Sequence, residues 1–238
     1  MLIKECIILA GGLGTRLRSV VPDLPKCMAI VAGEPFLFHV IHYLQKQGIE
    51  KFIFSLGYLH NVIIKYIEDS FPELFVKYSI EDEPLGTGGA IQLALQEATG
   101  KDVFVVNGDT LFKVDLSEMS SFHSDNNASC SLALKPMKDF ERYGVVGFDA
   151  DHSIISFSEK KQYKKGYING GVYALHVPSF LDLKLPAKFS FEKDYLEKYF
   201  LQQNMKALVQ DTYFIDIGVP EDFERANREM KKTIDHGQ

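Results

Sequence analysis

The residues with the clearest chemical potential sit at the start of the chain. The apolar run Ile7-Ile8-Leu9-Ala10 ends in Gly11-Gly12-Leu13-Gly14-Thr15-Arg16, and Leu24-Pro25-Lys26 follows. Glycines after an apolar run let backbone come close to a ligand, and N–H groups exposed in such a turn form a concavity that attracts anions. Arg16 adds a planar fork suited to phosphate, and Lys26 adds a point charge beside a stiff proline. Gly11, Gly12 and Gly14 alone fit a tight turn with no ligand equally well. The two cations tip the reading toward phosphate. No Gly-Lys-Ser/Thr follows, so this is not a Walker loop, and Leu17 stands where a dinucleotide fingerprint needs its third glycine.

Two acidic positions follow apolar runs. Asn107-Gly108-Asp109 comes after Val103–Val106, and Asp216 comes after Phe214-Ile215. Mg²⁺ prefers hard oxygen ligands and is commonly held by one or two carboxylates together with substrate phosphates. Asp109 and Asp216 could meet over one such ion, although either could instead cap a loop. A second glycine loop, Glu83-Pro84-Leu85-Gly86-Thr87-Gly88-Gly89, leads into helical spacing. Its N–H groups and the helix N-terminus could face a nucleotide. Glu83 could accept from the two donors on the edge of guanine.

These elements together resemble the sugar-1-phosphate nucleotidyltransferases. The resemblance lies in Leu9 to Leu17 with Pro25-Lys26, the Glu83–Ala90 loop, Asn107-Gly-Asp-Thr110, Arg142-Tyr-Gly144 and Ile168-Asn-Gly-Gly171. Cys27 stands where many members have a second proline. The resemblance implies transfer of a nucleotidyl group from GTP, or another nucleoside triphosphate, to a sugar 1-phosphate. D-glycero-α-D-manno-heptose 1-phosphate is the expected acceptor. Mannose 1-phosphate, another hexose 1-phosphate and N-acetylmuramic acid 1-phosphate (with a uridylyl donor in some cases) remain alternatives, as does a silent nucleotide-sugar sensor.

The implied roles follow the motifs. Leu9, Ala10, Gly11, Gly12, Gly14, Thr15, Arg16, Glu83, Gly86, Thr87, Gly88, Asn107 and Gly108 would bind the nucleotide. Arg16, Lys26 and Asp109 would support catalysis. Asp109 and Asp216 would hold Mg²⁺. Gly144, Glu159, Lys160, Asn169 and Gly171 would take the sugar phosphate, whereas Glu159-Lys160 alone reads as a solvated pair. Glu192 and Asp194 read as structural, with Ser190 able to cap the helix beside them.

Composition sets the frame that must position these groups. The chain has 238 residues and a net charge of −6, from 26 basic and 32 acidic side chains. That is enough length for a large buried core. The charge argues against a duplex nucleic-acid partner, which needs a basic face. Cys6, Cys27 and Cys130 are isolated, no apolar stretch approaches membrane-spanning length, and the start does not build a signal peptide. A reducing, cytoplasmic setting is expected, and a homodimer is compatible with the sequence.

Strand-like and helix-like runs alternate through the first half. Helices are expected over 36–47, from an Asn61 cap through Ile67, and over 89–98; strands over 51–55, 77–81 and 103–106. The second half is mostly strand-like, at 129–134, 145–148, 154–157 and 168–175, before helical runs at 191–201 and 221–232. The expected fold is α/β: a Rossmann-like mixed, mainly parallel sheet with helices on both faces, of the nucleotide-diphospho-sugar transferase type. A single domain is expected over 1–238, with a nucleotide half over 1–125 and a sugar-phosphate half over 126–238. Ligands in such sheets bind at the carboxyl ends of the strands, where Gly11 and Asp109 would fall.

Overall fold

The computed structural model describes residues 2–12 and 24–235, with side chains to residue 231. In chain order, β1 (Glu5–Leu9) is followed by a 3₁₀ turn over Lys26–Met28 and the small ribbon of β2 (Ile30–Val31) and β3 (Glu34–Pro35). Then come α1 (Phe36–Lys46), β4 (Lys51–Leu56), α2 (His60–Ser70), β5 (Phe75–Ile80), α3 (Gly86–Ala94) and β6 (Asp102–Asn107). The short β7 (Thr110–Phe112) and α4 (Leu116–Asp125) close the first half. The second half holds β8 (Cys130–Phe140), β9 (Val145–Phe148), β10 (Ile154–Ser158), the long β11 (Tyr163–His176) and α5 (Val177–Leu181). A π-helical turn over Phe191–Leu196, α6 (Glu197–Tyr199), β12 (Met205–Val209), β13 (Phe214–Asp216) and α7 (Pro220–Asp235) complete it.

Seven strands form one sheet in the order β12-β8-β11-β6-β1-β4-β5. All neighbouring pairs are parallel except those made by β11, which runs antiparallel to both β6 and β8. The mixed, mainly parallel sheet expected from the sequence is therefore the observed one. Its central strands are apolar on both faces because both faces are covered. Cys6 and Ile8 of β1 point into one core with α1, α2, α4 and α7. Ile7 points into the other, with α3, α5 and the aromatic residues Phe180, Phe191 and Tyr195. Ile7 and Ile8 are both fully buried. Among the described residues, no helix is long and apolar enough to cross a membrane.

Local chemistry explains most boundaries. Asp115 caps α4 by accepting from Glu118 N at 2.9 Å, and Ser190 Oγ accepts from Lys193 N at the start of the π-helical turn. The Asn61 cap is not found. Leu59 precedes α2 in a left-handed conformation (φ 57°) without a side-chain cap, and Asn61 lies inside the first turn. The helix expected over 89–98 starts three residues earlier and gives way to a 3₁₀ turn over Leu95–Glu97.

The early start of α3 has a tertiary cause. The segment ahead of the π-helical turn lies across its first turn. Gly88 N and Gly89 N both donate to Phe189 O, at 3.0 and 3.4 Å, while Phe189 N donates to Leu85 O at 3.0 Å. A methyl group at Gly88 would stand 2.1–2.7 Å from three carbons of the Phe189 ring. The glycine is thus required by packing as much as by any ligand. Gly88→Ala is expected to cost about 1–3 kcal/mol through overpacking. Part of that loss should return when Phe189→Ala is added, as read by a double-mutant cycle of urea unfolding.

Candidate active site

The carboxyl ends of β1, β4, β5 and β6 open onto one cleft of about 850 Å³. Each parallel strand delivers a different group to it. Leu9, Ala10, Gly11 and Gly12 come from the end of β1, Gly57-Tyr58-Leu59-His60 from β4, Glu81 from β5, and Asn107-Gly108-Asp109 from β6. Glu83, Gly86 and Thr87 line the same cleft, as do Lys26, Cys27, Glu192 and Gly218. Gly14, Thr15 and Arg16 lie outside the described residues.

The first glycine turn is locked between its neighbours. Ala10 N donates to Ser55 O, and Gly108 N donates to Leu9 O, both at 2.9 Å. A Cβ at Gly11 would be 2.9 Å from Gly57 N and 3.1 Å from Glu81 Oε1, so only glycine lets the three strand ends close together. Among the described residues, a Cβ at Gly12 would meet nothing within 4 Å, and Gly12 lines the cleft.

The charged centre is built by the smallest elements in the fold. β7 and β13 form an antiparallel ribbon in which Thr110 pairs with Asp216, and Ile217 N donates to Asp109 O at 3.1 Å. This ribbon brings Asp109 and Asp216 to one place although they are far apart in sequence. Between them stands Lys26, on its 3₁₀ turn and only 12% exposed. Its Nζ is 2.5 Å from Asp109 Oδ2 and 3.6 Å from Asp216 Oδ1. Gly218 N donates to Asp216 Oδ1 at 2.7 Å, while the Tyr143 hydroxyl reaches Asp216 Oδ2 at 3.4 Å. The Tyr143 phenol is pushed well above its ordinary pKa by burial and then by the Asp216 charge, so it stays a neutral donor. Burial, with the Asp109 charge, pushes the Cys27 thiol up to about 12, so this cysteine is unreactive despite its place at the cleft.

Among the described residues, no cluster of three or more His, Cys, Asp or Glu side chains converges. The donor set at the centre is two carboxylates: Asp109 lines the cleft, while Asp216 stands behind Lys26 and Gly218 and is not part of the lining. That set fits Mg²⁺, which keeps most of its coordination shell for water and phosphate oxygens. It does not fit a structural zinc site, which needs four nitrogen or sulfur ligands.

Glu81 is a cleft residue that the sequence reading passed over in favour of Glu83. It is the first residue after β5, as Asp109 is the second after β6, and an acid just past a strand end was the available signal. Its Oε2 accepts from Leu85 N at 2.8 Å. Burial holds its carboxyl above the usual range, with the Leu85 hydrogen bond acting in the opposite direction. Glu192 also lines the cleft, where its Oε2 accepts from Thr87 Oγ1 at 2.9 Å and from Ser190 Oγ at 3.2 Å.

The residues assigned to a sugar phosphate are distributed more widely. Asn169 and Gly171 lie on β11 beside the end of β6. Asn169 Nδ2 donates to the Tyr173 hydroxyl, Gly171 N donates to Asn169 Oδ1, and Gly171 abuts Asn107. Gly144 packs against the Ser158 carbonyl, which a Cβ would meet at 2.5 Å. Glu159 and Lys160 are exposed between β10 and β11 and do not line the cleft. Gly88 is buried under Phe189 rather than lining the cleft.

The nucleotidyl transferase family pattern matches residues 5–233 of the chain. Over 230 residues the chain is 50% identical to D-glycero-alpha-D-manno-heptose 1-phosphate guanylyltransferase of Aneurinibacillus thermoaerophilus, covering 97% of this chain and all of the relative. It is 47% identical over 219 residues to the Campylobacter jejuni protein of the same name, covering 92% and 96%. The crystal structure of HddC from Yersinia pseudotuberculosis superposes with a TM-score of 0.87 at 39% identity, over 96% of this chain and all of HddC. HddC complexed with GMP-PN gives 0.86 over the same extents. The strand-end cleft, its paired aspartates and these near full-length matches lead to one assignment: the chain belongs to the nucleotidyl transferase family.

Proposed function

We propose that this protein transfers the guanylyl group of GTP to a sugar 1-phosphate, with D-glycero-α-D-manno-heptose 1-phosphate as acceptor, and releases pyrophosphate. The observation that carries the reading is Lys26 held between Asp109 and Asp216 at the end of the cleft beside the glycine turn. The heptose 1-phosphate guanylyltransferases at 50% and 47% identity support the acceptor and the base. The GMP-PN complex of HddC supports a guanine nucleotide in this fold.

In the proposed reaction an acceptor phosphate oxygen attacks the α-phosphorus of GTP. The bond from that phosphorus to the bridging oxygen breaks, and the electron pair leaves with pyrophosphate. No side chain becomes covalently attached, so the protein contributes position and charge. Backbone N–H groups of Gly11 and Gly12 face the phosphates. Lys26 neutralises charge on the α-phosphate or the acceptor phosphate, and Arg16 that on the departing pyrophosphate. Asp109 and Asp216 would hold Mg²⁺, which when bound supplies Lewis-acid neutralisation of phosphate oxygens. Glu81 and Glu83 line the same cleft, with Glu81 beside the glycine turn at Gly11. A carboxylate there suits the N1–H and amino donors of guanine. Residues 1–125 would thus form mainly the nucleotide side. Residues 126–238, with Asn169 and Gly171 on β11 beside the end of β6, would form mainly the sugar-phosphate side.

The test is pyrophosphate release across a panel of GTP, ATP, UTP, CTP and dTTP with several sugar 1-phosphates. GTP with the heptose 1-phosphate should give the highest kcat/KM; indifference to the base would remove the guanine assignment. Asp216→Asn should fold normally, by its thermal midpoint, yet lose a factor of ~10²–10³ in kcat. Full turnover by that variant would contradict the metal assignment.

Glu81→Gln should cost about 10- to 100-fold in kcat/KM with GTP, since hydrogen bonds to charged groups contribute roughly 1.5–3 kcal/mol. Its stability has a defined sign as well. The folded protein binds the Glu81 proton more tightly than the unfolded chain does. Stability is therefore greatest below the ordinary carboxylate range and declines as pH rises through the raised value. Unliganded Glu81→Gln should melt above wild type at neutral pH, with the gap closing toward about pH 4.

A further inference from the structure

The acid pair is tied on two sides to one helix. Asp222, in the first turn of α7, takes the Arg142 guanidinium at 2.5 Å from its Oδ2, and Arg225 approaches its Oδ1 at 3.2 Å. The other end of that guanidinium faces the acid pair. Arg142 Nη2 donates to the Tyr143 hydroxyl at 3.2 Å and stands 3.9 Å from Asp216 Oδ2. Asp222 and Asp216 are only 18% and 22% exposed, so solvent screens these contacts weakly. One turn further along α7, Asn227 Oδ1 accepts from Ala32 N at 3.0 Å, while its Nδ2 donates to Phe223 O. Ala32 sits at φ 54°, a left-handed conformation unfavourable for a residue with a Cβ, so something must hold it there. It forms the turn of the β2–β3 ribbon, which follows directly on the 3₁₀ turn that carries Lys26.

We propose that α7 braces the acid pair, with Asp222 and Arg142 as positioning residues for Asp216 and Asn227 as the positioning residue for the Lys26 turn. The inference rests on the reading that Asp109 and Asp216 hold the divalent cation. None of the three residues lines the cleft. Each acts through another: Asp222 fixes the guanidinium, which with Tyr143 fixes one oxygen of Asp216 and leaves the other toward Lys26. Outer partners that orient a metal-binding carboxylate matter through geometry, and losing one typically costs 10- to 100-fold in metal affinity or activity.

The experiment uses the full chain with Mn²⁺ as the probe and saturating GTP, without acceptor. Water-proton relaxation separates protein-bound Mn²⁺ from Mn²⁺ on free nucleotide. Asp222→Asn and Arg142→Lys should each weaken protein-bound Mn²⁺ by roughly 10-fold or more. Their kcat should fall by a similar factor, with KM for GTP within about twofold of wild type. Arg142→Lys keeps the charge but loses the fork that spans Asp222 and Tyr143, so it carries the measurement even where Asp222→Asn fails to fold. Asp222→Glu should recover part of the loss. Asn227→Ala should lower kcat with KM for GTP again held. Wild-type Mn²⁺ affinity and kcat in Asp222→Asn or Arg142→Lys would overturn the brace alone. Wild-type protein that retains no Mn²⁺ with GTP would overturn the metal reading and the brace together.

Discussion

Two carboxylates converging on one ammonium group set the terms for the rest of this structure. Asp109 and Asp216 each lie within 4 Å of Lys26 Nζ. At such separations unit charges interact by about 1 kcal/mol in water and by about 4 kcal/mol near a protein surface. Without Lys26 the two acids would repel each other. With it, the group keeps a formal charge of −1, from two carboxylates and one ammonium. A divalent cation that entered without anions of its own would compete with Lys26 for the same carboxylate oxygens. On the proposed reading the triphosphate supplies those anions. Lys26 would then be free to pair with phosphate, while Asp109 and Asp216 would hold the cation. One exchange of partners would serve both the empty and the loaded cleft.

The fold meets this constraint with rigid parts. Parallel strands β1, β4, β5 and β6 end on one edge, so the glycine turn, Glu81 and Asp109 are placed by the sheet itself. Asp216 cannot come from the same set of strand ends. It arrives on β13, which pairs with β7 just after Asp109, so one short ribbon fixes the distance between the acids. Lys26 comes from the other side, on a 3₁₀ turn whose Cys27 and Met28 are buried in the core beneath. The two acids thus share the β7–β13 ribbon, while Lys26 rides on a turn of its own.

The sequence disclosed the parts of this arrangement that lie at the ends of long apolar runs. Ile7–Ala10 and Val103–Val106 announce buried strands, and Gly11 and Asp109 follow them directly. That Asp109 and Asp216 could meet was suggested by residue type, and the resemblance, not any local pattern, favoured it over two loop caps. β7 and β13 have three residues each, too short for any period to appear. Glu81 was obscured because it opens a run of acid, acid, acid, in which the residue facing inward depends on where β5 stops. The Asn61 cap failed for a similar reason. Leu59 takes a left-handed conformation and His60 N donates to Gly57 O, so α2 starts at His60 and Asn61 falls inside the first turn. Arg142 and Tyr143 stood in the sequence only as part of a motif around Gly144, yet their side chains turn to Asp216 and Asp222. Charge pairing across the fold, invisible in a local motif, directs them.

The two glycine-rich loops, alike on the page, carry different physical loads. In the second loop, the amides of Gly88 and Gly89 already donate to Phe189 O, and Gly86 at φ 75° is pressed against the same carbonyl. Two of the first N–H groups of α3 are therefore spent within the protein. An anion at that helix end would have to compete with a main-chain acceptor already in place. In the first loop, Gly12 opens to the cleft and Lys26 stands nearby. On the proposed reading, phosphate binding falls to the turn after β1. The second loop is left to carry Leu85 on Glu81 and to shape the wall where a base would lie. Its glycines serve the fit between the two halves of the chain, which is why a segment as distant as Phe189–Glu192 decides where α3 begins.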